Sequence, residues 1–305
     1  MSHSYKLTKD PIWFLLRKVT IPASVGSLFQ TFYNLVDTWF AGKISAEAIG
    51  AVAKSFPIYF TIIAVGVGIG AATNTLIGNS IGEKKERTAS LYIAQSLIFA
   101  LVVSIIVTLF GLNASNFLLG VMGSDADGII LTRKYLDIIF YGTFIVLIQI
   151  SLNGTLNAQG DTKSYRNVLI FSFFLNIILN PILITGKIIN FELFAPMGIT
   201  GIAIATILSQ IIGLLYLLYK IYKTEIFENF KNNYLIPKLS LIKEISFQAI
   251  PAALGLMMIA LGSYILLFFV SRFGNDAIAG FSSAGRYEQL LFLPLLGLST
   301  AVTAI

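Results

Sequence analysis

The stretch Ile21–Gly42 constrains the fold of this chain more than any other. Its only charged residue is Asp37, and a helix needs roughly 20 apolar residues, at about 1.5 Å each, to cross the core of a bilayer. A carboxylate inside such a helix costs on the order of 2.5–3.5 kcal/mol on insertion scales. Either Asp37 is an ion or proton site in a wet cavity, or it reaches the interface near Lys43. The polar residues on and beside its helical face favour the cavity: Gln30, Tyr33, Asn34 and Thr38.

The composition extends this interpretation to the whole chain. Of 305 residues, 56% are apolar and 12% are charged, whereas soluble domains carry about 25% charged residues. We therefore predict an all-α polytopic membrane protein, because β-barrel strands would alternate over about ten residues. The net charge of +6 does not indicate a nucleic-acid partner, since the basic residues lie in short loops between apolar runs.

Further apolar runs of spanning length follow the first, so that the sequence predicts eight transmembrane helices. These runs lie near Ile49–Ile77, Ser90–Phe110, Tyr135–Leu156, Val168–Thr185, Gly198–Tyr222, Ile245–Val270 and Ile278–Ile305. Lys and Arg are concentrated in the N-terminal segment and in alternate loops, most densely in Lys220–Glu244. By the positive-inside rule, this bias predicts a multi-pass protein of the cell (inner) membrane with a cytoplasmic N-terminus.

An internal repeat relates the two ends of the chain. One constant shift in numbering superimposes Ile21–Ala23 on Ile250–Ala252 and, without a gap, Gly68 on Gly297. Because an even number of spans separates the copies, the halves are predicted to be parallel repeats, an arrangement typical of transporters. We expect residues 1–235 to form a six-helix bundle with a cytoplasmic leader and a linker. We expect 236–305 to be the first two helices of a second, incomplete bundle, so that the chain is a truncated form of a twelve-span protein; the alternative is a true eight-span protein.

Two asparagines in the fifth span extend the candidate site. Asn176 and Asn180 lie one helical turn apart and project from the same face, and Pro181 removes a backbone donor beside them. These amides either supply oxygen ligands or hold helices together by hydrogen bonds. Thr206, in the sixth span, offers a further oxygen to a cation.

Other polar residues within spans have alternative roles. Asn153 and Asn157 share a face of the fourth span, and Asn153 joins the candidate cavity, whereas Gly160-Asp161-Thr162 is interpreted as a helix stop. In the last span, Arg286 and Glu288 project in different directions, so each needs another partner. They either extend to the interface or line a cavity in the second half.

Together these residues resemble the multidrug and toxic compound extrusion (MATE) transporters. The matching segments are Asn34–Asp37, Asn157–Thr162, Asn176–Pro181 and Gly201–Ser209. The resemblance implies two six-helix bundles around a cleft that opens alternately to the two sides of the membrane. It also implies export of small organic, often cationic, compounds in exchange for H⁺ or Na⁺, with no cofactor and a monomeric protein in the lipid bilayer.

The resemblance assigns Asp37 to the acid of the first span, and Asn176 and Thr206 to the cation site of the first bundle. Asn180 stands where the DNA-damage-inducible branch often has an aspartate. Ile259 stands where the sodium-driven exporters have a glutamate. We therefore expect a protein closer to the first branch, with its coupling site in the first bundle and one monovalent cation bound there, at Asp37, Asn176, Asn180 and Thr206.

Three other functions are weighed against an antiporter. A flippase for lipid-linked sugars shares this fold family, but its cavity should be strongly basic and the spans offer only Arg286. A membrane-embedded enzyme needs a nucleophile with a base, or metal ligands, and the only histidine is His3, in the polar N-terminal segment. A passive channel would not need a repeat with an acid in only one half.

Overall fold

The computed structural model describes residues 11–122, 124–188 and 191–274, together with 276–278, 280–281, 283–285 and 288. The helices are α1 (Ile12–Ile44), α2 (Ala46–Gly82), α3 (Glu86–Val121), α4 (Ala126–Tyr141), α5 (Thr143–Ala158), α6 (Lys163–Thr185), α7 (Ile199–Tyr222), α8 (Glu225–Glu228) and α9 (Leu239–Ser271). A short 3₁₀ helix, Asn232–Leu235, precedes α9.

Five helices are long and apolar enough to cross a membrane, namely α2, α3, α6, α7 and α9, and the bent pair α4–α5 makes a sixth candidate. The prediction of an all-α membrane protein with several spans is thereby confirmed. Helix α1 has the length, at 33 residues, but it is not one of these candidates among the described residues. Its crossing of the membrane therefore stays a prediction. Most of the predicted last span, Ile278–Ile305, lies outside the described residues.

The predicted span Tyr135–Leu156 is wrong in one respect, because it consists of two helices. Helix α4 ends at Tyr141 and α5 begins at Thr143, and the two are bent by 47°. A Cβ atom at the intervening Gly142 would collide with Ile207 of α7. The glycine therefore lets α7 pack directly against the bend, a contact that hydropathy along one run does not reveal.

A second departure from the all-helical prediction lies between α6 and α7. Here β1 (Lys187–Ile188) pairs antiparallel with β2 (Phe191–Glu192). An ion pair between Lys187 Nζ and Glu192 Oε1, at 2.5 Å, joins the two strands. Such a short exposed hairpin fits a connection that lies beyond the ends of the two helices.

Helix α2 packs against α5 and α9 on opposite sides. Gly66 and Gly70 lie against Ile150 of α5, whereas a Cβ at Gly68 would come within 2.5 Å of the Ala249 carbonyl oxygen of α9 and 2.7 Å of Ala253 Cβ. Residues two apart on an α-helix point in nearly opposite directions. The alternating glycines thus let two helices approach α2 closely, one on each side.

Residues 223–238, which we call the linker, connect α7 to α9 and pack against the start of α3. Ile226 shares a buried cluster with Tyr92 of α3 and Ile245 of α9. We call this end of the bundle the linker end. The division of the chain into 1–235 and 236–305 stays a prediction.

Candidate functional site

The candidate site is centred on Asp37, near the C-terminal end of α1. Its side chain is only 4% exposed, and it faces α6 and α7. One turn earlier, Tyr33 is equally buried, at 4%, and lies beside Thr206 and Asp37. Thr38 does not contribute to the site, because its hydroxyl donates to the Asn34 carbonyl of its own helix at 3.0 Å.

Both oxygens of the Asp37 carboxylate accept hydrogen bonds from other helices. Asn180 of α6 donates its Nδ2 to Asp37 Oδ1 at 3.0 Å, and Thr206 of α7 donates its hydroxyl to Oδ2 at 3.1 Å. The same Asn180 nitrogen donates to Asn176 Oδ1 at 2.9 Å. The structure therefore brings together all four residues that were predicted to bind a cation. We call them the Asp37 cluster: Asp37, Asn176, Asn180 and Thr206.

The sequence explains how α6 supplies two members of this cluster. Asn176 and Asn180 are four residues apart, so they lie on one face, and both are fully buried, at 0% exposure. Their side chains stack along the helix toward α1. The hydroxyl of Thr206 comes from α7, which packs antiparallel to α6 after the short hairpin.

Two polar atoms of the cluster are buried without a hydrogen-bond partner in the described part of the chain: Asn180 Oδ1 and Asn176 Nδ2. Because the Asn180 nitrogen serves two acceptors, its oxygen is left over beside the carboxylate. An unpaired buried polar atom costs about 1–3 kcal/mol. A carboxylate next to an uncommitted amide oxygen is a suitable set of ligands for a small hard cation.

A pocket between α1, α2 and α4 reaches Asp37 from another direction. Besides Asp37, it is lined by Asn34, Val52, Ser55, Phe56, Tyr59 and Tyr135. The prediction that Asn34 lines a cavity with Asp37 agrees with this geometry. Ser55, Tyr59 and Tyr135 were not predicted; the four-residue spacing of Ser55 and Tyr59, on one face of α2, was a signal that could have found the first two.

The remaining predicted residues lie elsewhere or are not described. Asn153, on α5, makes no hydrogen bond to the Asp37 cluster among the described residues, and its buried Oδ1 has no partner there. Glu288 is exposed, and Arg286 lies outside the described residues.

The predicted helix stop after α5 is confirmed. Gly160 adopts a positive φ of 80°, and Asp161 Oδ1 accepts from the backbone nitrogens of Lys163, at 3.1 Å, and Ser164, at 2.9 Å. Asp161 therefore stabilises the beginning of α6.

The described residues offer no group of three or more His, Cys, Asp or Glu side chains that could hold a metal ion. A cation at the Asp37 cluster would have one carboxylate and otherwise neutral oxygens as ligands. That donor set suits one monovalent ion or a proton, because a single negative charge balances a single positive one.

Comparison with known proteins points to one family. The profile of the MatE family matches residues 22–182 and 251–305, which include three of the four members of the Asp37 cluster. The chain is 26% identical over 303 residues to the probable multidrug resistance protein YoeA of Bacillus subtilis (strain 168), covering 98% of this chain and 64% of that protein. It is 24% identical over 302 residues to the multidrug export protein MepA of Staphylococcus aureus (strain MRSA252), covering 99% of this chain and 65% of that protein.

A solved structure supports the same relationship. The crystal structure of MATE in complex with MaL6 superimposes with a TM-score of 0.84 at 26% identity, covering 100% of this chain and 66% of that one. The chain thus spans 64–66% of the length of these relatives.

Proposed function

The chain belongs to the MatE family, and from this membership, together with its similarity to proteins named for multidrug resistance and multidrug export, we propose that it serves in an antiporter that exports small organic cations. The exchange is driven by H⁺ or Na⁺. The substrate moves through a cleft between two halves of the protein, which opens alternately to either side of the cell membrane.

One observation carries the ion-coupled part of this proposal, namely the buried carboxylate of Asp37 at the junction of three helices. Two of its donors, the Asn180 amide and the Thr206 hydroxyl, are neutral. Neutral donors orient a carboxylate without cancelling its charge, and a charge in a low-dielectric interior is expensive. A proton or an alkali cation would cancel it, and its departure would restore the present hydrogen bonds.

The Asp37 cluster binds one monovalent cation in this proposal. The unpaired Asn180 oxygen supplies a neutral ligand beside the carboxylate, and the pocket that contains Asn34 and Tyr59 gives the ion access from α2 and α4. The cluster joins α1 to α6 and α7, so an ion that displaces these hydrogen bonds changes how α1 packs. Such a change couples ion binding to a rearrangement of the bundle.

The proposed arrangement places residues 1–235 in one six-helix bundle and assigns 236–305 to the second half. The N-terminus and the linker lie in the cytoplasm. Since the chain contains no cysteine, single cysteines can report this orientation. A membrane-impermeant maleimide should label Ser240→Cys, in the exposed first turn of α9, only in inside-out membranes. Asp127→Cys, exposed at the opposite end of the bundle, should label only in intact cells. The reverse pattern would overturn the orientation.

The function is tested by efflux of ethidium, an organic cation, from vesicles that contain the full-length protein. An inwardly directed pH or sodium gradient is imposed on these vesicles in separate experiments. We expect either the pH gradient or the sodium gradient to accelerate ethidium efflux, and this efflux should saturate with ethidium concentration. Ethidium efflux should in turn dissipate the gradient that drives it. An efflux rate that is the same with and without each gradient, or a leak that does not saturate, would contradict the antiport mechanism.

A further inference from the structure

The side chain of Gln95 binds the linker through both the nitrogen and the oxygen of its amide. This residue lies on α3 and is fully buried, at 0% exposure. Its Nε2 donates to the carbonyl oxygens of Tyr234, at 2.7 Å, and Ile236, at 2.9 Å. Its Oε1 accepts from the backbone nitrogen of Lys238 at 2.8 Å. The contact therefore recognises the backbone of the linker just before α9 begins.

Neighbouring residues of α3 bind the part of the linker that precedes this contact. The Ser90 hydroxyl donates to the Ile226 carbonyl, and Glu86 Oε2 accepts from Asn229 Nδ2 at 3.1 Å. These contacts span most of the linker. They show that the linker is fastened to α3 at several points and is not a free tether between α7 and α9.

Helix α9 continues the attachment along its length. Near its start, Glu244 accepts from the Tyr92 hydroxyl of α3 at 2.7 Å. In its middle it packs on Gly68 of α2. Near its far end, the Tyr264 hydroxyl donates to the Leu118 carbonyl of α3 at 2.9 Å. Helix α9 is thus hydrogen-bonded to α3 near both of its ends, and it packs against α2 between them.

We propose that Gln95 is a positioning residue that keeps the linker docked on α3 throughout transport. The linker then stays with the first bundle, and the two halves move relative to each other at a point that lies after Lys238 and not within the linker. This inference rests on the proposed function, in which two halves move relative to each other. The physical reason is that undocking would break the three hydrogen bonds that the fully buried Gln95 amide makes with the backbone of the linker.

Amide hydrogen exchange tests the docking itself, with no need for transport. In the wild-type protein, the amide of Lys238 should stay protected both with and without saturating ethidium or sodium. Gln95→Leu keeps the approximate size of the side chain and removes its polar atoms, so exchange at 234–239 should accelerate by roughly tenfold. Gln159→Leu is the matched control, because Gln159 bonds only within α5, to the Thr155 carbonyl, and it should leave the linker unchanged. Loss of Lys238 protection when wild type binds a ligand would overturn the proposal.

A cross-link tests the same idea in a protein with Gln95 intact. Glu86→Cys with Asn229→Cys places two thiols at an exposed contact, in a chain with no other cysteine. A short bifunctional thiosulfonate reagent should join them, and ethidium efflux by the full-length protein should keep its wild-type rate. Efflux that stops on cross-linking and recovers with dithiothreitol would show that the linker must undock, and would overturn the inference. If wild type shows no gradient-driven efflux, the proposed function fails, whereas the exchange result at Lys238 stands on its own.

Discussion

The Nδ2 atom of Asn180 lies 3.0 Å from Oδ1 of Asp37, which joins residues 143 positions apart in one buried polar contact. The amide must present its nitrogen to the carboxylate, and so its oxygen is left without a partner in the described part of the chain. In the proposed function, a cation replaces the hydrogen bond at this contact. The first three predictions concern this cluster.

Replacing Asp37 by Asn should abolish gradient-driven ethidium efflux, because the amide keeps the shape of the side chain but holds no charge to neutralise. The amount of folded protein in the membrane should not change. Asp137→Asn is the matched control, since Asp137 is a partly exposed carboxylate paired with Arg133 on α4, and its efflux should match wild type. Efflux by Asp37→Asn at the wild-type rate would show that the assignment of the site is wrong.

Replacing Thr206 by Val should destabilise the ion-free protein by about 1.5–3 kcal/mol, the usual contribution of a hydrogen bond to a charged group. Thermal unfolding in detergent without added sodium measures this loss, and Thr206→Ser should recover most of it by restoring the donor. Thr75→Val, which removes an exposed hydroxyl bonded within α2, should have little effect. Equal melting temperatures for the Val and Ser variants would contradict a charged hydrogen bond at Thr206.

Asn180→Asp should change the number of ions bound by the first bundle from one to two. The new carboxylate would replace a donor that now lies 3.0 Å from Asp37, and two adjacent negative charges in a buried site need two positive charges to balance them. This change can be measured as the ratio of ions to ethidium transported. The ratio follows from the ethidium gradient that is just large enough to stop net flux against a known ion gradient. Asn113→Asp, at an exposed position of α3, should keep the wild-type ratio. If the first bundle of the wild-type protein binds two ions, the proposal that Asp37 balances a single monovalent cation is wrong.

Gly68→Ala should destabilise the packing of α2 on α9 by roughly 1–3 kcal/mol, the usual cost of inserting atoms into a well-packed interface. The new methyl group would lie 2.5 Å from the Ala249 carbonyl oxygen, whereas a Cβ at Gly78 of the same helix meets nothing within 4 Å. Gly78→Ala should therefore be neutral or stabilise the helix by up to about 1 kcal/mol. The two melting temperatures in detergent should move in opposite directions, and a Gly68→Ala protein as stable as wild type would mean that α9 does not pack tightly there.

Much of the helical architecture could be predicted because hydropathy and turn chemistry act locally. The apolar runs predicted most of the described helices, and Gly160 with Asp161 predicted the boundary between α5 and α6. The bend at Gly142 was missed, because a glycine within an apolar run is compatible with a straight helix. Only the approach of Ile207 from α7 explains why the chain bends there.

The candidate site was predicted in part for the same reason. That Asn176 and Asn180 share a face follows from helical geometry alone, and Asp37 was predicted as the only charge in its apolar stretch. The resemblance to known transporters strengthened the weak signal at Thr206. Ser55, Tyr59 and Tyr135 were missed, since a polar side chain on a long apolar helix can face a neighbour, a cavity or lipid. Their position beside Asp37 depends on how α2 and α4 are rotated about their axes.

The sequence by itself determined that this chain is an α-helical membrane protein, because burying backbone polar groups in lipid requires helices. It also singled out Asp37, because a carboxylate within an apolar helix is costly and therefore uncommon. Only the tertiary structure decided that Asp37 meets Asn180 and Thr206, and that Gln95 fastens the linker to α3. The physical reason is that helix formation is settled by hydrogen bonds within about one turn. The partners of a side chain are settled by packing between helices far apart in sequence, and helices that are apolar on nearly every side carry little local information about which side faces which neighbour.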